Sequence, residues 1–147
     1  MTVNYTIRPV DGDDEANYET LCELHDEIFV DTAPLVDFAK GQWWLALSGA
    51  EPVGFVGITP ASYMPHTGYL SRVGVVGRHR GQGLQRRLMR ACDRHAKREG
   101  WGTIYTDCAS FNVQSANNLF RAGYALFRPD PLWCGEEWLY WRKRLDV

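Results

Sequence analysis

Residues 69–76 read Tyr69-Leu-Ser-Arg-Val-Gly-Val-Val76, followed by Gly77-Arg-His-Arg-Gly-Gln-Gly-Leu84 and then Gln85-Arg-Arg-Leu-Met-Arg-Ala-Cys-Asp-Arg-His-Ala-Lys-Arg-Glu99-Gly100. The first eight residues are apolar and β-branched, which predicts a buried strand. The last segment repeats Leu84, Leu88, Ala91, Cys92, His95 and Ala96 on one helical face, and Gly100 stops the helix. Arg86, Arg87, Arg90, Arg94, Lys97 and Arg98 fall on the opposite face. Glycines between a strand and a helix let backbone N–H groups converge on one spot, with the helix dipole behind them. That arrangement makes a phosphate cradle. The other reading of such glycines is a tight turn. No GK[ST] follows and G-x-G-x-x-G cannot be read here, so neither of the two best-known phosphate loops is present.

Working outward, Tyr5–Pro9 alternates as a short strand. Asp11-Gly-Asp-Asp-Glu caps a helix carrying Tyr18, Leu21, Cys22, His25, Ile28 and Phe29. A second short helix is predicted from Pro34 to Phe38, with proline in its first turn. Gln42–Leu47 and Val53–Thr59 form a hairpin across Ser48-Gly-Ala-Glu-Pro52. Residues 60–68 read as a loop. After the glycine segment come a strand over Thr103–Cys108 and a short helix capped by Asn112 or Ser115 and ending before Gly123. Two antiparallel strands over Tyr124–Phe127 and Glu136–Arg144 close the chain. The order β-α-α-β-β-β-α-β-α-β-β gives one α/β (α+β) domain over residues 1–147. The sheet is expected to be mixed and mostly antiparallel, with helices on both faces.

The 147 residues, 45% hydrophobic and 23% charged, suit a globular domain and exclude a disordered or fibrous chain. No apolar run reaches membrane length, and Met1-Thr-Val-Asn-Tyr lacks a secretory pattern, so a cytoplasmic protein is expected. The four cysteines then read as reduced thiols. Cys22-x-x-His25 and Cys92-x-x-His95 have zinc-like spacing, but each pair lies on an apolar helix stripe. Packing explains them, and no metal is expected. The net charge of −2 hides a split: residues 1–65 carry −9 and residues 66–147 carry +7. From Arg78 to Arg98 there are eight bases and one acid, Asp93. This density points to a polyanionic partner or a solvated helix face.

At this point the sequence resembles a known family. Val75 and Arg80-Gly-Gln-Gly-Leu84, with Leu88 four residues on, look like the R/Q-x-x-G-x-G/A signature of GNAT-type, acetyl-coenzyme A-dependent N-acetyltransferases. Arg78-x-x-Gly81-x-Gly83 matches it literally. The spacing to Val75 and Leu88 favours Arg80-x-x-Gly83-x-Gln85. Asn112-Val-Gln-Ser115 followed by Gly123-Tyr124 is similar to the family's N-x-x-[AS]…GF segment. The other reading of Asn112 and Ser115 is helix capping. Together these features cover most of the chain.

The resemblance implies a V-shaped slot beside the strand before the loop. The pantetheine arm of acetyl-CoA would lie along Val73, Gly74 and Val75, and the diphosphate over the amides of Arg80, Gly81, Gln82, Gly83, Leu84 and Gln85. Asn112 joins this coenzyme set. The amide of Val75 or a neighbour would polarise the thioester carbonyl. A neutral primary amine would then attack directly, without a covalent enzyme intermediate. The family's usual tyrosine acid falls on Leu119 or Phe120, and its glutamate falls nearest to Tyr69. Tyr69, His66, Ser71 and Tyr105 are the candidate replacements, with Val75, Tyr69 and Tyr105 as the catalytic set.

Asp26, Glu27, Asp31 and Asp37, with Phe29, Trp43 and Trp44 nearby, suggest a lobe for a cationic acceptor, either a small molecule or a protein. Solvated acids and core tryptophans are the other reading. Trp133 and Cys134 are placed at the pocket mouth; Trp138, Tyr140 and Trp141 are read as packing. Two alternatives stand beside the enzyme: a non-catalytic acyl-CoA-binding domain, and a nucleic-acid module using helix 85–98. Nucleic acid and membrane are not the expected partners, and a homodimer is left open.

Overall fold

The computed structural model describes residues 4–29, 33–62 and 64–145. Among the described residues, seven strands hydrogen-bond in the order β1-β2-β3-β4-β5-β7-β6: β1 Tyr5–Val10, β2 Gln42–Ser48, β3 Glu51–Pro60, β4 Thr67–Val75, β5 Thr103–Ala109, β6 Ala125–Phe127 and β7 Trp138–Arg144. Three α-helices accompany them among the same residues: α1 Glu15–Ile28, α2 Leu84–Arg98 and α3 Val113–Arg121. The pairs β1–β2, β2–β3, β5–β7 and β6–β7 are antiparallel. The β4–β5 pair is parallel. The mixed, mostly antiparallel sheet expected from the sequence is therefore present. The chain groups into two compact units, Met1–Thr59 with Leu70–Cys92 and Pro60–Tyr69 with Asp93–Val147.

In the first unit, Asp14 caps α1 by accepting the Asn17 N–H at 3.1 Å. Leu21, Leu24 and His25 turn inward from α1. Trp43–Leu47 of β2 and Val53–Ile58 of β3 are buried without a break, so this part of the sheet is covered on both faces. Phe55 meets His25, Phe29, Phe38 and Trp43 on one face. A Cβ on the neighbouring Gly54 would meet Leu88 of α2 at 3.4 Å. Successive strand residues point to opposite faces, so α1 and the start of α2 cover opposite sides of this unit's strands.

The helix predicted at Pro34–Phe38 does not form. Asp37 uses its carboxylate on the Ala39 N–H and its carbonyl on the Lys40 N–H, both at 3.1 Å. This makes a turn that competes with helix. Phe38 then plugs into the core against Tyr18, His25, Trp43 and Phe55.

In the second unit, Thr67, Gly68 and Tyr69 pair with Thr103, Ile104 and Tyr105. The loop expected over residues 60–68 is therefore shorter, with Thr67 and Gly68 already in β4. β7 bridges β5 and β6. α3 ends in a glycine cap: the Gly123 N–H reaches Phe120 O at 3.1 Å and the Tyr124 N–H reaches Leu119 O at 3.0 Å. Among the described residues no helix is long and apolar enough to cross a membrane.

Candidate active site

The end of β4 builds the glycine loop in three steps. The buried Val76 donates its N–H to Val53 O at 2.9 Å, anchoring the strand end. A single 3-10 turn, Gly77–His79, follows. Gly81 and Gly83 then adopt φ of +78° and +77°, a left-handed conformation costly for residues with a Cβ. The Gly83 carbonyl accepts the Arg87 N–H at 3.2 Å. The N–H groups of Leu84, Gln85 and Arg86 in the first turn therefore lie outside the intrahelical ladder, at the positive end of the dipole. A Cβ at Gly81 or Gly83 would find nothing within 4 Å. Backbone conformation, not packing, demands these glycines, and the space above them is open. Both features fit an anion laid on the amides.

The left-handed pair lies inside both motif registers. Gly81 and Gly83 are the small residues of Arg78-x-x-Gly81-x-Gly83. The register favoured by spacing puts Gln85, the second residue of α2, in the last small position. Arg80 folds back and donates from Nε to Val75 O at 3.3 Å. Arg78 is ion-paired with Glu51 and, at 3.5 Å, with Glu27. Arg87 donates to Tyr5 O at 3.2 Å. Arg87, in the first turn of α2, is thus partly committed to the protein.

The other face of β4 carries Arg72 and Gly74. A Cβ at Gly74 would press on Ile28 and Phe29 of α1 at 3.0 Å. Arg72 lies 5.3 Å over the Phe29 ring and contacts His25 Nε2 at 2.9 Å. A guanidinium only donates, so His25 Nε2 accepts, and the neutral ring carries its proton on Nδ1. Burial, reinforced by the Arg72 charge, lowers the His25 pKa below the ordinary histidine value. Neither histidine of the zinc-like spacing is idle: His95 lies 3.7 Å from Glu99 and stacks edge-on to Trp101.

In the second unit, Tyr69 donates its hydroxyl proton to Asp107 Oδ2 at 2.6 Å. Trp133 Nε1 donates to the same oxygen at 2.8 Å. Burial, followed by the nearby Asp107 carboxylate, pushes the Cys134 thiol up to about 11. Trp133 stacks edge-on to Tyr140 at 4.7 Å, and the Tyr140 hydroxyl bridges Cys134 N and Gly135 O, each at 2.8 Å. Tyr105, on the same face of β5 as Asp107, packs 5.4 Å from Phe127. Asn112 caps α3 through the Ser115 N–H at 3.1 Å. Leu119 is 5% exposed and Phe120 73%. Neither offers a hydroxyl.

Residues 11–124 match the model of the Acetyltransferase (GNAT) family. The chain belongs to the GNAT family. A curated relative, N-acetyltransferase 8B of Rattus norvegicus, is 26% identical over 123 residues. That match covers 80% of this chain, and the chain spans about half the length of the relative, 55%. Solved GNAT-fold structures agree with the architecture. The ribosomal-protein-S18-alanine N-acetyltransferase of Escherichia coli superposes with TM-score 0.76 at 13% identity, covering 98% of this chain and 96% of its own. A candidate streptothricin acetyltransferase from Bacillus anthracis, solved with acetyl coenzyme A, gives 0.75 at 15% identity, with 97% and 99% covered.

Within this GNAT chain, the predicted coenzyme residues Val73, Gly74, Val75 and Arg80 to Gln85 are contiguous in the first unit. The predicted Tyr69 and Tyr105 are paired neighbours in the second. The tryptophans of the expected substrate lobe are core: Trp43 and Trp44 are buried, and Glu27 is used by Arg78. Asp31 lies outside the described residues. Sequence reasoning missed Asp107 and the Arg72–His25 pair. The signal for Asp107 was one acid inside the otherwise apolar or hydroxylated run Thr103–Cys108, two residues beyond Tyr105. Arg72 was the one basic residue inside the strand.

Proposed function

We propose that this chain, as one domain over residues 1–147, transfers an acetyl group from acetyl-CoA to a primary amine. The observation that carries the reading is the left-handed Gly81/Gly83 pair, opening α2 with clear space above its amides. Acetyl-CoA supplies the activated thioester. The amides from Arg80 to Gln85, with the exposed Arg80 and Arg86 side chains, hold its diphosphate. Val73, Gly74 and Val75 offer strand backbone to the arm. Asn112 stays in the coenzyme set on the resemblance alone, since its side-chain oxygen already serves the cap.

Val75, Tyr69 and Tyr105 stay the catalytic set, as the resemblance implies: the Val75 amide polarises the thioester carbonyl, and Tyr69 and its β5 partner Tyr105 are the candidates for handling the proton. The test is thiol release from acetyl-CoA in the presence of a panel of amines: a polyamine, lysine, a lysine peptide and peptides with free N-termini. Amine-dependent release supports the enzyme. Saturable coenzyme binding with no release from any amine would leave a non-catalytic acyl-CoA-binding domain.

A further inference from the structure

Asp107 is a carboxylate without a countercharge. It is half-buried on β5, and it is held by two neutral donors, the Tyr69 hydroxyl and the Trp133 indole. Among the described residues it takes part in no ion pair. Taking a carboxylate out of water without a cation is costly, and neutral hydrogen bonds offset only part of that cost. Tyr69 spends its single proton on Asp107, so toward any other group its oxygen acts as an acceptor. An amine N–H fits that acceptor, and an ammonium also supplies the missing charge.

We infer that Tyr69 and Asp107 form a proton relay that deprotonates the acceptor amine: the amine proton passes to Tyr69 Oη while the tyrosine's own proton passes to Asp107 Oδ2. The inference rests on the acetyltransferase reading above. With that proton removed, the nitrogen lone pair forms the N–C bond. The C–S bond breaks with its electron pair on sulfur, the thiolate takes the second N–H proton from the still-cationic nitrogen to leave as the free thiol, and the first proton later leaves Asp107 to water. Tyr69 touches the substrate and is the catalytic residue. Asp107 acts through it and is a positioning residue. The groups facing Asp107 are Tyr69 from β4, Cys134 from the last loop, Tyr140 opposite it on β7 and Tyr105 on its own strand. Arg142, opposite Tyr105, lies over Phe127 at 4.7 Å.

Asp107→Asn is the matched variant, since the amide oxygen still accepts from Tyr69 but no longer takes up a proton. It should keep the stabilisation by acetyl-CoA seen in thermal unfolding. Turnover with a lysine-type amine should fall about 100-fold or more at pH 7, in the range of a lost general base. The deficit should shrink as pH climbs toward the amine's own pKa near 10, because solution then supplies free amine. Tyr69→Phe should behave alike, and the double variant should lose little more, as expected of groups acting as a unit. As a readout apart from turnover, the coenzyme-free protein should show a downfield hydroxyl proton resonance that Tyr69→Phe removes. An Asp107→Asn deficit of constant size across pH, or no deficit beside an active wild type, overturns the relay alone. A wild type that binds coenzyme but acetylates no amine overturns the proposed function, and the relay falls with it.

Discussion

Gly83→Ala, with Gly77→Ala as its control, separates a phosphate cradle from an ordinary turn. A Cβ at either position would find nothing within 4 Å, so neither change creates a clash inside the protein. The difference is conformational. Gly83 sits at φ +77°, whereas Gly77 is not left-handed. Holding an L-residue left-handed costs about 1–2 kcal/mol. Part of that is offset because alanine has less unfolded-state freedom than glycine. Gly83→Ala should therefore lower stability by about 1 kcal/mol, roughly 2–4 °C in melting temperature for a chain of this size. Gly77→Ala should stay within about 0.5 kcal/mol of the parent. Ligand effects are read as the extra melting temperature gained with acetyl-CoA. The new methyl projects into the open space assigned to the diphosphate, and any relaxation of φ swings the amides off it. A tenfold loss of affinity removes about 1.4 kcal/mol of the coenzyme-dependent stabilisation, and Gly83→Ala should lose at least that much. Gly77→Ala should keep the full gain. If Gly83→Ala keeps it too, the diphosphate does not sit on these amides.

Stability should also fall on mild acidification. His25 and His95 have pKa values lowered by burial; Arg72 adds to the effect at His25, while at His95 Glu99 opposes it and Arg98 adds to it. The unfolded chain takes up these protons first, so their contribution is complete above the ordinary value of 6.5 and is lost as pH drops through the lower folded values. Urea midpoints at pH 7.5 and 5.5 should show a fall, and His25→Gln, which keeps an acceptor for Arg72, should flatten it; an unchanged pH dependence in that variant would refute the assignment. Lys143 pairs with Asp93 at 2.6 Å where both side chains are largely buried. Lys143→Met leaves the carboxylate without its partner and should cost about 1–3 kcal/mol, with the coenzyme-dependent gain in melting temperature unchanged.

The strands and helices that carry strong periodicity were legible in the sequence. Trp43–Leu47, Val53–Ile58 and Leu84–Arg98 declare their elements through apolar runs or one apolar face, and Gly100 and Gly123 mark helix ends by their chemistry. The segment at Pro34–Phe38 misled because a proline followed by apolar residues imitates a helix start. Asp37 prefers to bond its neighbours' N–H groups, and Phe38 is worth more as a core plug. The cradle was visible because its glycines sit in one contiguous stretch. Which of those glycines are left-handed was not, since the folded loop sets it. The Tyr69–Asp107–Trp133 cluster joins β4, β5 and the last loop across 26 and 38 residues of sequence. The Arg72–His25 contact spans 47. Such pairs are made by strand register and helix packing, and no local pattern encodes them.

The most direct test of the account is mass spectrometry of amines incubated with acetyl-CoA and the purified chain, with the released thiol measured in the same samples. The expected result is at least one primary amine heavier by one acetyl group, formed in equal amount with free coenzyme A, and its loss in Gly83→Ala at limiting coenzyme. Coenzyme that binds saturably yet yields no acetylated amine and no thiol from any member of the panel would contradict it.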